Sequence, residues 1–426
     1  MGKFNEMKKE ELQNLLVHLN NKYEDFVSQK LKLDMSRGKP GADQVELSME
    51  MLDYPSSKDS CKAADGTDCR NYGLVDGIPE AKALFAEMME VSPKEIIIGG
   101  NSSLSIMYDA MARAMMFGVY GGAKPWSRQP AVKFLCPSPG YDRHFAICEL
   151  FNMELITVDM KPDGPDMDKI EELVSKDEAI KGIWCTPKYS NPEGITYSDT
   201  VVRRFANMKT KADDFRIFWD NAYTVHHLTD TPDKLLNIMQ ACKEAGNPDR
   251  VFMFSSTSKV TFPGAGIAVL AASENNIALI KKQLGIKTIG PDKINQLRHV
   301  AFLKDMKGIE AQMKKHAQIL KPKFDMVLDI LEGELGGKGI ACWNKPNGGY
   351  FISFNTLDGC AKETLALAAA AGVTMTPAGA TYPYGKDPQD RNIRIAPTMP
   401  PVAELKKAME LLCVCVQIAS IKKLLA

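Results

Sequence analysis

The 426-residue sequence has no surplus of either charge, with Lys plus Arg and Asp plus Glu at 53 each. No net field therefore draws it to a polyanion, and the lack of a basic run or aromatic-basic stripe excludes the usual nucleic-acid face. Nothing approaches the roughly 18 apolar residues of a membrane span. The ten cysteines, among them Cys61, Cys69, Cys136, Cys185, Cys342 and the Cys413/Cys415 pair, form no CxxC pair and no His-containing zinc spacing. That argues against a disulfide framework or a metal site and for reduced, mostly buried thiols. The opening MGKFNEMKKEEL is charged where a signal peptide is apolar, and Glu6 stands where myristoylation needs Ser or Thr. Internal repeats and low-complexity linkers are also missing. These absences leave an expectation of small-molecule chemistry in the cytoplasm, with no metal, nucleic-acid or membrane partner.

What is present begins with Leu12, Leu15, Leu16, Leu19, Tyr23, Phe26 and Val27 at helical spacing, which predicts an amphipathic helix from about Lys8 to Leu31. Ser36-Arg37-Gly38-Lys39-Pro40-Gly41 then breaks the pattern as loop. Up to about residue 275, short apolar runs alternate with helical patterns: Glu95-Ile98, Val132-Cys136, Leu155-Val158, Gly182-Cys185, Arg216-Trp219, Val251-Phe254 and Ile267-Ala271. This alternation predicts an α/β fold whose large domain has a mostly parallel seven-stranded sheet flanked by helices. A long helix is expected over Ile294 to Leu331, then strands at Gly348-Ile352 and Arg391-Ile395 and a closing helix over Val402 to Leu425. A smaller α+β domain built from both termini follows, with residues 1–45 as its N-terminal helix and arm, 46–320 as the large domain and 321–426 as the C-terminal part.

In parallel sheets ligands collect at the carboxyl ends of strands. One run is followed by Gly99-Gly100-Asn101-Ser102-Ser103 and a helical pattern, which offers free N–H groups to a phosphate or forms an ordinary cap. Another is followed by Asp220-Asn221-Ala222-Tyr223. A carboxylate leaving a buried strand needs a cationic partner or serves as a cap or ion pair. A third leads into Ser255-Ser256-Thr257-Ser258-Lys259, whose lysine either reaches the cleft of Asp220 or is solvated.

Taken together, the motifs resemble the fold-type I pyridoxal-phosphate aminotransferases over nearly the whole chain. They are Tyr72 with Gly77, Gly100-Asn101-Ser102-Ser103, Pro139-Gly140-Tyr141, Ser190-Asn191-Pro192-Glu193-Gly194, Asp220-x-Ala222-Tyr223, Ser256-x-Ser258-Lys259, Pro346-x-Gly348-Gly349 and Arg391-Asn392-Ile393-Arg394. The Ser-Arg-Gly-Lys-Pro start and SSTSKVTFPGAG look most like a divergent bacterial aspartate aminotransferase subgroup related to MocR-type proteins.

The resemblance implies pyridoxal 5'-phosphate as cofactor and a role for each matching residue. Lys259 would hold the cofactor as a Schiff base and carry the proton between the substrate's alpha carbon and C4'. Asp220 would meet the pyridine nitrogen, Asn191 and Tyr223 the 3'-oxygen, and Tyr141 the ring face. Asn101, Ser102, Ser103 and Ser256 would surround the phosphate, with Tyr72 arriving from the second subunit of a homodimer. Arg394 would pair with the substrate's alpha-carboxylate, Gly38 would make room for substrate, and Arg37 would meet a distal carboxylate. The family's phosphate-binding arginine is missing: Gly266 and Ile267 occupy its positions, which leaves Lys188, Arg143, or the hydroxyls and helix dipole to compensate.

The expected reaction is L-aspartate plus 2-oxoglutarate to oxaloacetate plus L-glutamate. The alternatives are transamination of 2-aminoadipate, an aromatic amino acid or alanine, a pyridoxal-phosphate lyase or decarboxylase reaction, and, from another class, a MocR-like ligand-sensing module. No helix-turn-helix segment precedes the first helix to favour the last.

Overall fold

Five strands that run in parallel lie at the centre of the molecule, a computed structural model that describes residues 3–426. In spatial order they are Val251–Ser256, Arg216–Asp220, Ile180–Cys185, Lys133–Ser138 and Glu154–Lys161. Ala268–Ala272 is inserted antiparallel between Val251–Ser256 and the edge strand Ile96–Ile98. All seven expected runs are strands. An eighth, Gly164–Pro165, pairs antiparallel with Glu154–Lys161 at the other edge and is too short to leave a sequence pattern.

The sheet explains its own sequence. Ile180–Cys185 and Arg216–Asp220 are buried at every position, so neither alternates in polarity. Their side chains still alternate between faces. Ile217 and Trp219 join Phe85, Phe205 and Met253 in one apolar cluster, whereas Phe218 joins Phe134, Trp184 and Phe254 in another. Helices cover both faces, among them Pro79–Met89 and Asp199–Asn207 on the first and Ser103–Phe117 on the second.

A third cluster joins the two chain ends. Leu12, Leu19 and Phe26 of the helix Lys9–Ser28 pack with Val327 and Leu331, with Ile352 and Phe354, and with Leu412 and Val416 of the closing helix Val402–Leu425. The small antiparallel sheet here has three strands, Ala341–Trp343, Ile352–Thr356 and Asn392–Ile395, so the expected strand at Gly348-Ile352 begins at its last residue. A two-stranded parallel pair, Leu33–Met35 with Val373–Met375, ties the N-terminal arm to the same unit.

The helix expected over Ile294 to Leu331 is two helices, Lys293–Leu303 and Met306–Leu335. Lys304 turns left-handed (φ 61°), and the Asp305 carboxylate accepts from Gly308 N at 2.8 Å, capping the second helix. That second helix runs unbroken across the expected boundary at 320/321, giving Ile309 and Met313 to the first cluster and Leu320 to Leu335 to the third.

Candidate active site

The carboxyl ends of the central strands and the adjoining turns carry Lys259, Asp220, Tyr223, Asn191 and Tyr141, and Arg394 meets them from the strand Asn392–Ile395 of the small sheet. Asp220 is the last residue of its strand and is 3% exposed. Its Oδ2 lies 2.9 Å from His144 Nε2, and its Oδ1 is buried without a hydrogen-bond partner. A nitrogen facing a carboxylate oxygen must donate, so His144 carries its proton on Nε2. The His144 ring stacks on Trp184 (4.3 Å, 7°), and Tyr141 meets it edge-on at 4.9 Å. Both Tyr141 and His144 belong to the start of the helix Asp142–Leu150, Tyr141 as its N-cap. Burial pushes the Tyr141 phenol up to about 12.

Lys259 follows the strand Val251–Ser256 in a turn held from behind by His299. His299 Nδ1 donates to Asn295 O (2.8 Å), and Nε2 therefore accepts from the hydroxyls of Thr257 (3.1 Å) and Thr261 (2.9 Å). The Lys259 ammonium lies 5.1 Å from the centroid of Tyr223 and 5.6 Å from that of Tyr350. Burial lowers its pKa, against the opposing charge of Asp220. Burial also pushes the Tyr223 phenol far up.

Asn191 stands in a loop locked to the small sheet, because the next-but-one residue, Glu193, accepts from Ser353 Oγ (2.6 Å) and Asn344 Nδ2 (2.7 Å). Gly194 closes that loop at φ +69°, where an added Cβ would lie 2.5 Å from Pro346. Asn191 Oδ1 accepts from Arg394 Nη1 at 3.3 Å. Arg394 also donates from Nη1 to Asp142 Oδ1 (2.9 Å) and from Nη2 to Thr376 Oγ1 (3.5 Å), and its guanidinium lies 5.0 Å over the Phe351 ring.

The expected phosphate cup assembles on one side of Lys259. Ser102 is the N-cap of the helix Ser103–Phe117 and makes no side-chain cap, which leaves first-turn N–H groups free for an anion. Asn101 Nδ2 donates to Gly264 O (3.1 Å), Ser256 Oγ to Ser258 Oγ (3.1 Å), and Ser258 Oγ to Asn101 O (3.5 Å). Gly266 is tightly surrounded, since a Cβ would lie 3.0 Å from Thr257 Oγ1 and 3.3 Å from Asn101 O, and Ile267 is 1% exposed in the core. Lys188 is not the substitute. It lines a separate cavity with Met88, Glu90 and Asp233, turned there by the strand-to-loop exit at Cys185. Arg143 is exposed on a groove with Ser105 and Tyr108, beside the same helix as the cup. The groups on the Ser102 side of Lys259 are hydroxyls and the helix terminus.

Three other expected residues stand apart from the central group. Tyr72 is 77% exposed, on a segment pinned by Gly73 N to Ile289 O (3.1 Å) and by Lys293 Nζ to Gly73 O (3.1 Å). Arg37 is exposed and makes no ion pair among the described residues. At Gly38 a Cβ would lie 2.3 Å from Phe351 Cζ, so the ring beneath Arg394 leaves no room for a side chain there. Sequence reasoning missed His144, Asp142, Thr376, Phe351 and His299. Only His144 left a signal, its spacing of three from Tyr141, which puts both on one side of a helix start.

The described residues fit pyridoxal phosphate on two observations. The Asp220 Oδ1 atom is a buried acceptor with no donor, and the Ser103 helix terminus is an uncapped anion site beside a buried lysine.

Comparisons with known proteins place the chain in a family. A family model described as aspartate amino-transferase matches residues 7–426. The chain is 48% identical over 404 residues to a putative aminotransferase of Mycolicibacterium smegmatis, covering 95% of this chain and 94% of the relative. It is 44% identical over 402 residues to an aspartate aminotransferase of Corynebacterium glutamicum, covering 94% and 93%. A crystal structure of an aspartate transaminase from Corynebacterium glutamicum superposes with a TM-score of 0.97 at 42% identity over 99% of both chains.

Proposed function

Because the chain belongs to the aspartate amino-transferase family and is an aminotransferase, we propose that it binds pyridoxal phosphate on Lys259 and moves the amino group of L-aspartate to 2-oxoglutarate, yielding oxaloacetate and L-glutamate. The observation that carries this reading is the orphaned Asp220 Oδ1 in the same cleft as the buried Lys259 amine. The relative from Corynebacterium glutamicum named an aspartate aminotransferase supports the choice of substrate.

When bound, pyridoxal phosphate supplies a carbonyl that an amine condenses with and a ring that accepts the electron pair left by α-proton loss. Asp220 Oδ1 would accept a hydrogen bond from the protonated ring nitrogen and favour that protonated form, while His144 on Oδ2 fixes the carboxylate's orientation. The Asn191 amide nitrogen, left free because Oδ1 faces Arg394, and the Tyr223 hydroxyl hold the 3'-oxygen. Tyr141 packs the ring face. The hydroxyls of Ser102, Ser103 and Ser256, with Asn101, surround the phosphate. Lys259, whose pKa burial lowers, would tether the cofactor and would exchange the proton at the substrate's alpha carbon. Arg394 binds the alpha-carboxylate, and Arg37, beside Gly38 at the mouth, meets the distal one. Tyr72, exposed on its pinned segment, would reach the phosphate of a partner subunit in a homodimer, with the cytoplasm as the working compartment.

The test is spectroscopic. Protein supplied with pyridoxal phosphate should show a visible band, absent in Lys259→Ala, and L-aspartate without acceptor should convert it to the pyridoxamine form. Release of ammonia with fumarate would assign elimination instead, release of carbon dioxide with L-alanine would assign decarboxylation, and lack of any band would overturn the scheme.

A further inference from the structure

Arg394 already holds a carboxylate, and it belongs to the protein. Asp142 Oδ1 lies 2.9 Å from Arg394 Nη1. Arg394 is the sole side chain among the described residues to which the Asp142 carboxylate bonds.

The Nη1 corner is fully engaged. Asn191 Oδ1 takes its second hydrogen, Thr376 Oγ1 faces Nη2, the Phe351 ring lies 5.0 Å beneath the plane, and Nε is buried without a partner. The Arg394 side chain is 7% exposed and that of Asp142 34%. The acid, the more exposed of the pair, therefore occupies the Nη1 corner that a substrate carboxylate would need.

Two features let that acid leave. Asp142 is the first residue of the helix Asp142–Leu150, where the helix dipole favours a carboxylate whether or not it is paired. Its partial exposure also lets it return to water without burying a charge. Two carboxylates sharing the Nη1 corner of one guanidinium would repel each other, whereas an unpaired Arg394 in so buried a place would be costly. The two anions therefore alternate.

We propose that Asp142 is a built-in surrogate for the substrate's alpha-carboxylate, occupying Arg394 in the substrate-free enzyme and displaced when an amino acid or 2-oxo acid binds. The proposal rests on the reading of Arg394 as the alpha-carboxylate site. Its consequence is a uniform cost in affinity: the apparent dissociation constant of every carboxylate ligand is raised in proportion to the fraction of enzyme in which Arg394 is already paired. Asp142 also keeps the arginine oriented and satisfied between turnovers.

The experiment titrates the pyridoxal-phosphate-loaded enzyme with maleate, an unreactive dicarboxylate, followed by the cofactor's visible absorbance. Asp142→Asn removes the competing charge but keeps an oxygen facing Nη1, and Asp142→Ala removes both. Asp142→Asn should bind maleate more tightly, by about 10-fold if the pair is closed in nine-tenths of the free enzyme, and its KM for L-aspartate should fall in the same direction. Loss of packing or orientation can only weaken binding, so a tighter constant has no merely structural explanation. An unchanged or weaker constant in both variants would overturn the proposal. Arg394→Gln separates the two layers of the argument: it should bind maleate far more weakly than the parent. If it does not, the assignment of Arg394 fails and the surrogate with it. If it does while Asp142→Asn shows no gain, only the surrogate fails.

Discussion

The imidazole of His144 is clamped between Asp220 Oδ2, 2.9 Å from its Nε2, and the Trp184 indole, stacked at 4.3 Å. Asp220 thus has one oxygen fixed and one free, and the free one is the acceptor that the cofactor's ring requires. Asp220→Ala should lower kcat by about 10³-fold, the cost of removing a preorganised electrostatic partner. His144→Phe keeps the stacking on Trp184 and leaves the Asp220 carboxyl free to turn, so a smaller loss is expected, on the order of 10²-fold. Steady-state transamination assays of the two variants check the order. A His144→Phe enzyme as impaired as Asp220→Ala would mean that the histidine does more than orient.

A second histidine makes acid stability a readout of the lysine turn. His299 is fully buried as the neutral Nδ1–H form, and burial holds its pKa down at about 4 from 6.5. A base depressed in the folded state leaves the unfolded chain with more bound protons below 6.5. The stability it permits is therefore complete above pH 6.5 and is lost as pH falls from there through about 4. The loss at pH 4 is about 3 kcal/mol for this residue alone. His299→Phe should lower stability at pH 7, because the Thr257 and Thr261 hydroxyls lose their acceptor. It should also shrink the difference between urea-unfolding free energies at pH 7 and pH 4.5. An unchanged difference would show that His299 is protonated in the native protein.

How legible each part was in the sequence follows from the range of its contacts. The central strands could be read because burial on both faces makes them unbroken apolar runs, as in Ile180–Cys185. Gly164–Pro165 could not, since two residues carry no period. The break at Lys304 was hidden because the apolar pattern continues across it, with Leu303 and Ile309 in the same cluster. Only the Asp305 cap marks it. Lys259, Asp220 and Arg394 stood out as charged residues at strand ends or on strands, whereas Asp142, Phe351 and Thr376 acquire meaning only through Arg394, which is 252 residues from Asp142 in sequence. Gly38 stands out by its position in the breaker loop, whereas its contact with the Phe351 ring joins distant segments and leaves no local pattern.

Arg37 tests the choice of substrate. It is exposed and unpaired among the described residues, and the preceding Ser36 carbonyl accepts from Thr376 Oγ1 at 2.8 Å, the hydroxyl that faces Arg394. The loop bearing Arg37 is thus anchored beside the alpha-carboxylate site. A charge-assisted contact to a distal carboxylate is worth about 1.5–3 kcal/mol, so Arg37→Ala should lower kcat/KM for L-aspartate by roughly 10- to 100-fold while leaving L-alanine within about 3-fold. Equal losses on both substrates would remove Arg37 from the distal subsite.

Gly38→Ala probes the support beneath Arg394 without touching a charged group. The added Cβ would lie 2.3 Å from Cζ and 2.4 Å from Cε1 of Phe351, a ring 5% exposed. Contacts that short force either the ring or the loop to move, at about 1–3 kcal/mol for overpacking a filled core. Since the Arg394 guanidinium rests 5.0 Å over that ring, moving the ring shifts the fork relative to the cofactor site, and small misplacements of a carboxylate clamp are costly. Gly38→Ala should therefore raise KM for amino acids and 2-oxo acids together, by about 10-fold, while the visible band of the bound cofactor is retained, because Lys259 and Asp220 do not touch Phe351. If KM is unchanged while stability falls, Phe351 only fills space. If the cofactor band is lost as well, the strain has spread to the lysine turn, and the ring then supports the whole cleft.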